Sequence, residues 1–136
     1  MVVMELNEVF NEAESINVYN DGVKVSYASG GKEFEKVLKG WNTLIDGAHQ
    51  MPAFGVSLNR ETVKQIQSGL WAEFVFDGVK ECDGMPFEKL LINVIKDFQG
   101  FNIIRYNSNY GYDGRCFYYD LVGRNMADFY DILVNL

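Results

Sequence analysis

The chain has 136 residues, which suits a single domain, and its 19 acidic and 12 basic residues give a formal net charge of −7. Hydrophobic residues make up 48% of the chain and aromatic residues 15%, a composition that excludes an intrinsically disordered protein. Because nucleic-acid phosphates are bound by positively charged surfaces, this acidic chain is not expected to bind nucleic acid.

The first predicted elements are a short helix and a hairpin. Apolar residues recur at helical spacing over residues 3–14 and predict an amphipathic helix. Two alternating runs then flank Asp21-Gly22, a dipeptide typical of a two-residue hairpin turn. A turn there would place Val18 opposite Val25, with the apolar residues of both strands on one face.

Two further helices are predicted before a long run of strands. A stripe of apolar residues spaced by three and four predicts the main core helix over residues 34–45, with Trp41 in the core. Asn59 is suited to cap a shorter helix over residues 60–68, which Gly69 would end. The buried edge of that helix is predicted to consist of Val63, Ile66 and Leu70.

From residue 70 the apolar pattern becomes that of strands. Residues 70–76 and 79–82 predict a second hairpin, with its turn at Asp77-Gly78. The following strand, over residues 87–95, carries apolar side chains on both faces. Such a strand is typical of the centre of a sheet that is covered on both sides.

The last predicted strands, Phe101–Tyr106 and Arg115–Val122, enclose a loop rich in Asn, Gly and Tyr, and Asn125 is placed to cap a closing helix. Consecutive strands joined by short turns favour an antiparallel sheet. The sequence therefore predicts a single α+β domain over residues 1–136. We expect an antiparallel sheet of five to seven strands, with three or four helices packed mainly on one face.

Cysteine usage and apolar run lengths bear on the compartment. Cys82 and Cys116 are the only cysteines, and two buried thiols are favoured over a disulfide because secreted frameworks carry more cysteines. The first residues lack the pattern of a signal peptide, and no window reaches the ~20 apolar residues of a membrane span. We therefore expect a cytoplasmic protein without membrane association.

Signatures of catalysis, metal binding and cofactor binding are weak, so no cofactor, metal or catalytic residue is predicted. His49 is the single histidine, and neither cysteine has a partner at ligand spacing. Residues 107–113 alternate like a calcium loop, but Tyr118 occupies the twelfth position, where that motif requires glutamate. Five carboxylates in the strand region are candidates for acid–base chemistry only by position and are expected mostly on a solvated face: Glu73, Glu81, Glu88, Asp113 and Asp120.

Tyrosine and arginine are concentrated between residues 101 and 122, and both are favoured at binding hot spots. Tyr110 and Tyr112 flank Gly111 at the tip of the loop, where little core is expected. The candidate recognition surface consists of Arg105, Tyr106, Tyr110, Tyr112, Arg115 and Tyr119, and Trp71 and Phe54 could extend it. A purely structural interpretation is also open, because aromatic side chains pair well across strands.

Two functions fit these features. The first is a non-catalytic acidic protein-interaction module, such as a small inhibitor, immunity-type or adaptor protein, that binds a partner protein through the hairpin at residues 105–119. The alternative is a small-molecule-binding protein or enzyme in which Arg105 and Arg115 hold an anionic ligand. An interaction module should expose Tyr110 and Tyr112, whereas a ligand site should turn both arginines inward and leave them unpaired with carboxylates.

Overall fold

The computed structural model describes residues 2–53 and 55–136. In chain order its elements are β1 (Val2–Val3), α1 (Leu6–Val9) with a 3₁₀ turn (Phe10–Glu12), β2 (Ser15–Asn20), β3 (Val23–Ala28), α2 (Lys32–Ile45), β4 (His49–Met51), β5 (Val56–Ser57), α3 (Asn59–Gln65), β6 (Leu70–Cys82), β7 (Met85–Asn93), β8 (Gly100–Tyr106), β9 (Gly114–Arg115), β10 (Phe117–Asp120) and α4 (Ala127–Val134). Phe54, named above as a possible extension of the surface, lies outside the described residues.

Seven of these strands form one antiparallel path in the order β3-β2-β6-β7-β8-β10-β4. β1 adds to this sheet by pairing in parallel with β6, and β5 pairs with β9 in a separate two-stranded sheet. The predicted α+β fold with an antiparallel sheet is confirmed. β7 occupies the middle of the path, as its two apolar faces predicted.

The hairpin of β2 and β3 forms in the predicted register, with Val18 opposite Val25. Asp21 has φ 49° and Gly22 has φ 86°, the pair of positive angles that a type I′ turn requires. The Asp21 carboxylate also accepts the Gly69 N–H at 2.9 Å, which ties this turn to the start of β6.

The turn predicted at Asp77-Gly78 is wrong, because β6 runs without interruption from Leu70 to Cys82. Its hairpin with β7 turns instead at Asp83-Gly84, where φ is 52° and 75°. The register with β7 shifts between Val75 and Lys80, so the first Asp-Gly pair lies in a bulge of the long strand. Both dipeptides have turn chemistry, and cross-strand pairing decides which one turns.

The main core lies between one face of the sheet and the helices α1, α2 and α4. Trp41 of α2 is fully buried at its centre, as predicted. Its ring centroid lies between 5.0 and 5.4 Å from those of four phenylalanines contributed by different elements: Phe10, Phe74, Phe101 and Phe129. Such closely spaced aromatic pairs each add about 0.5–1.5 kcal/mol beyond the burial of their area.

A second, smaller cluster lies on the opposite face of the sheet. It contains Ile66, Trp71, Leu91 and Tyr112, with Tyr19, Ile104 and Tyr106 packed around it. Thr62 of α3 is buried beside it, whereas Val63 is 47% exposed, so the predicted buried edge of this helix is wrong at that position. Thr62 and Ile66 are four residues apart and therefore share the helix face that meets the sheet.

Three further predictions concern the ends of the chain and its thiols. The first helix forms but is shorter than residues 3–14, and the closing helix begins at Ala127, whose N–H is accepted by the Asn125 carboxamide at 3.0 Å. Cys82 and Cys116 are buried free thiols, as expected. None of the described helices is long and apolar enough to cross a membrane.

The two Asp-Gly pairs provide a matched test of the β6–β7 register. Gly84→Ala places an L residue at φ 75° and should reduce the free energy of unfolding by about 1–2 kcal/mol. A Cβ added at Gly78 meets no atom of the described residues within 4 Å, and Gly78 has no positive φ, so the free energy of unfolding of Gly78→Ala should be unchanged or slightly higher. Urea unfolding of both variants checks this, and the reverse ranking would mean that the hairpin turns at Gly78.

Candidate functional site: a surface loop with a buried anchor

The loop between β8 and β9 is closed at its base by its own backbone. The Asn107 N–H donates to the Gly111 carbonyl at 2.9 Å, and the Gly111 N–H donates to the Asn107 carbonyl at 2.7 Å. Gly111 has φ 63°, and a Cβ there would collide with the Asn59 carboxamide. The positive φ favours glycine at this position, and a Cβ there would displace the Asn59 side chain that holds the loop.

The residues around α3 hold the far side of this loop. The Asn59 side chain accepts the Tyr112 N–H at 3.0 Å, and the Asn59 N–H donates to the Asp113 carboxylate at 2.5 Å. The Ser57 hydroxyl donates to the Tyr112 carbonyl. Asn59 was predicted to cap α3, but the helix begins at Asn59 itself, and the side chain bonds the loop instead.

The near side of the loop is held by the sheet. The Ser108 N–H donates to the Glu88 carboxylate of β7 at 2.6 Å. Within the loop, the Asn107 carboxamide accepts the Asn109 N–H at 2.8 Å. Two of the side chains that alternate like calcium ligands, Asn107 and Asp113, therefore accept backbone N–H groups, and the described residues contain no cluster of His, Cys, Asp and Glu that could hold a metal ion.

The anchor of the loop is the hydrogen bond of Tyr112 with Glu73. The Tyr112 hydroxyl donates to one Glu73 oxygen at 2.5 Å, while Tyr19 and Asn17 donate to the other at 3.2 and 2.9 Å. Glu73 is completely buried and takes part in none of the ion pairs formed by the described residues. Three donors of this kind offset the cost of burying a carboxylate without a cation.

Both expectations for these two residues were therefore wrong. Glu73 was expected on a solvated face, but β6 is covered on both sides, so its outer face is also interior. Tyr112 was expected at an exposed loop tip, but the second cluster provides the core that its ring enters. The ring lies 5.0 Å from that of Tyr106, which is half-buried beneath the Lys89 ammonium group.

The two tyrosine hydroxyls are held in their protonated form. Burial, the Glu73 charge and the hydrogen bond to Glu73 raise the pKa of Tyr112 and of Tyr19 well above the ordinary value. A tyrosinate beside the Glu73 carboxylate would place two negative charges in a buried site. Both side chains are therefore hydrogen-bond donors throughout the neutral range.

Tyr110 is the aromatic residue that this arrangement leaves in solvent. It is 68% exposed, although its neighbours in the loop are fixed. Beside it lies a concavity of about 360 Å³, lined by Pro86, Arg105, Asn107, Tyr110, Asp113 and Gly114. Of the two tyrosines expected at the tip, the structure exposes one and buries the other.

The two arginines of the predicted surface differ in exposure. Arg105 is half-buried, donating Nε–H to the Arg115 carbonyl at 2.8 Å and Nη1–H to the Pro86 carbonyl at 2.7 Å. Burial lowers its pKa, and it forms no ion pair with a carboxylate of the described residues. Arg115 is exposed on β9, so only one of the two turns inward.

Tyr119 does not belong to this surface. It is 2% exposed and lies in the main core, on the opposite face of the sheet from Tyr112. The alternation of β10 explains this, because Phe117 and Leu121 share its face and enter the same core. Trp71 is also buried, in the second cluster, where its indole N–H donates to the Ser68 carbonyl at 2.8 Å.

Five residues that hold the loop or its anchor were absent from the sequence-based site: Asn17, Ser57, Asn59, Glu73 and Glu88. The hydrogen bonds through which they do so join positions between 20 and 57 residues apart in the chain, so no local pattern indicates them. A glutamate within the apolar run Leu70–Phe76 was the one available signal.

Comparisons of the chain with protein-family models, with curated proteins and with solved structures find no match.

Removing the Tyr112 hydroxyl tests the anchor. Tyr112→Phe keeps the ring but leaves a buried carboxylate oxygen without its donor, so the free energy of unfolding should fall by about 1–3 kcal/mol. Tyr110→Phe is the matched control, and its exposed hydroxyl should change the stability by less than about 0.5 kcal/mol. Urea unfolding at pH 7 measures both variants, and equal stabilities would contradict the anchor.

The raised pKa of Tyr112 also predicts a pH dependence. The unfolded tyrosine loses its proton above pH ~10, while the folded one keeps it, so this contribution to stability is present below pH ~10 and is lost as the pH rises. The advantage of the wild type over Tyr112→Phe should therefore be about 1.4 kcal/mol smaller at pH 11 than at pH 7. Burial also raises the pKa of the Cys82 thiol, to about 12. Such buried thiols are present in both proteins, so their contributions to the pH dependence of stability cancel in the comparison. An advantage that does not change with pH would contradict this prediction.

Proposed function

We propose that the protein is a non-catalytic protein-interaction module, as small inhibitors, immunity-type proteins and adaptors are, and that a partner protein binds at the loop of residues 107–113. The observation that carries the proposal is the contrast within that loop. Tyr110 is 68% exposed, whereas the residues around it are fixed by hydrogen bonds to α3, β6 and β7.

Rigidity of the loop supports this function energetically. A binding loop that becomes ordered only in the complex loses conformational entropy at that moment, and this loss weakens the affinity. Here the backbone is already held at Ser108, Gly111 and Tyr112. Tyr110 is therefore presented to a partner with little further ordering of the main chain.

The side chains at the loop suit a binding hot spot. Tyrosine offers a large, rigid contact area at low entropic cost, and it is enriched at the centres of protein interfaces. Next to Tyr110, the concavity over Arg105 would accept a side chain of the partner. Tyr106 and Arg115 flank this region, the first half-buried and the second exposed.

Charge supports one class of partner over others. The chain carries a net charge of −7, which favours association with a basic protein surface and disfavours nucleic acid. Two buried free thiols are typical of a reducing compartment, so we expect the interaction to take place in the cytoplasm.

A small-molecule site for an anionic ligand is the second candidate. It is favoured by Arg105, which lines the concavity without a carboxylate partner among the described residues. The support is weaker, because Asp113 lines the same concavity and Arg115 is exposed on β9. An anion there would meet one cation and one carboxylate together.

Affinity capture with wild type and two matched variants tests the first function. Tyr110→Ala removes the exposed ring of the loop, and Phe98→Ala removes a 43% exposed aromatic side chain near the start of β8, at its opposite end. The free energy of unfolding of each variant should lie within about 0.5 kcal/mol of the wild-type value. A hot-spot truncation costs 2 kcal/mol or more, so we expect the partner to bind Tyr110→Ala about 30-fold more weakly.

The comparison is quantified by the recovery of each captured protein from a native lysate. A partner recovered with wild type and Phe98→Ala, but lost with Tyr110→Ala, supports the loop as the interface. Equal recovery with all three proteins would contradict it. Binding of inorganic phosphate that Arg105→Gln abolishes and Tyr110→Ala leaves intact would favour the anionic-ligand site instead.

A further inference from the structure

A second concave surface lies on the other side of the sheet, between α2 and α4, and it has no part in the proposed function. Its volume is about 510 Å³, within the ~300–1,000 Å³ typical of small-molecule sites. Leu44 and Phe129 are buried side chains that line it, together with Gly40 and Ile132.

Gly40 sets the close approach of the two helices at this groove. A Cβ built on Gly40 would lie 2.5 Å from Ile132 Cδ1, so any larger residue would push the side chain of α4 away. Glycine in the middle of a helix costs up to about 1 kcal/mol relative to alanine. At this position glycine allows a tight contact between α2 and α4, and that contact forms part of the groove.

The rim of the groove is basic although the protein is acidic. Lys36, Lys39 and Arg124 line it against a single carboxylate, Asp128. None of the three basic side chains takes part in an ion pair of the described residues. Arg124 donates Nε–H to the Leu121 carbonyl at 3.2 Å, a contact that holds its guanidinium at the groove.

We propose that this groove binds a small organic anion with an apolar body. The anionic head would lie among Lys36, Lys39 and Arg124, and the apolar body would pack on Leu44 and Phe129. The basic rim disfavours a cationic ligand of the same shape. The enclosed volume fits a free small molecule, since a helix of a partner protein needs a longer groove than one crossing of two helices.

Decanoate is a suitable probe, because it joins a carboxylate to an apolar chain, and decyltrimethylammonium is its cationic counterpart. Titration calorimetry below the micelle-forming concentrations should show binding of decanoate and at least about tenfold weaker binding of the cation. Amide chemical shifts should move along α2 and α4. Absence of decanoate binding, equal binding of both probes, or shifts confined to another surface would each overturn the proposal.

Charge-reversal variants distinguish the groove from nonspecific attraction. Lys36→Glu/Lys39→Glu should bind decanoate at least about tenfold more weakly. Arg60→Glu/Lys64→Glu makes the same change of charge on α3, on the other side of the sheet, and should bind as the wild type does. Equal weakening by both pairs would overturn the proposal, because net charge alone would then explain the binding.

A steric variant makes the test independent of charge. Thr43 is an exposed residue of α2 that lines the groove, and Thr43→Trp should fill the groove and abolish decanoate binding without altering any charge. Undiminished binding by Thr43→Trp would contradict the assignment to this groove. Tyr110→Ala should bind decanoate normally, so failure of the loop proposal and failure of this one are separate outcomes.

Discussion

The Glu73 carboxylate, buried on the outer face of β6, is the constraint on which the position of the loop at residues 107–113 depends. Burying a carboxylate without partners costs free energy, and here three hydrogen-bond donors, from β2 and from the loop after β8, offset that cost. The donor from the loop is Tyr112. The electrostatic requirement of a strand residue thereby fixes the position of a surface segment, and Tyr110 is displayed as a result.

The two faces of the sheet differ in the hydrogen-bond partners that they offer to a buried tyrosine hydroxyl. Tyr112, on the outer face, donates to a carboxylate, whereas the buried Tyr119 hydroxyl in the main core has no hydrogen-bond partner among the described residues. The main core is dominated by phenylalanine and Trp41, which offer few acceptors. The polar contacts that organise the fold are therefore gathered on the face with the smaller cluster, while the face with three helices is held by apolar packing.

The sequence predicted those elements that are determined by the residues within them and in their adjoining turns. The β2–β3 hairpin, the core helix around Trp41 and the central position of β7 all follow from periodicity and turn chemistry. The site was only partly predictable, because Tyr112 is 39 residues from Glu73 and 53 from Asn59. The choice between two Asp-Gly pairs was likewise made by pairing with β7, which no property of either dipeptide reveals.

The wide sequence separation of the loop contacts also has a consequence for folding. Contacts between distant positions form only after long stretches of chain have been brought together, which makes them late and slow to form. The loop draws on β2, α3, β6 and β7 at once. Its ordered shape therefore depends on β2, α3, β6 and β7 being folded together, and a partner that recognises that shape would distinguish folded chains from unfolded ones.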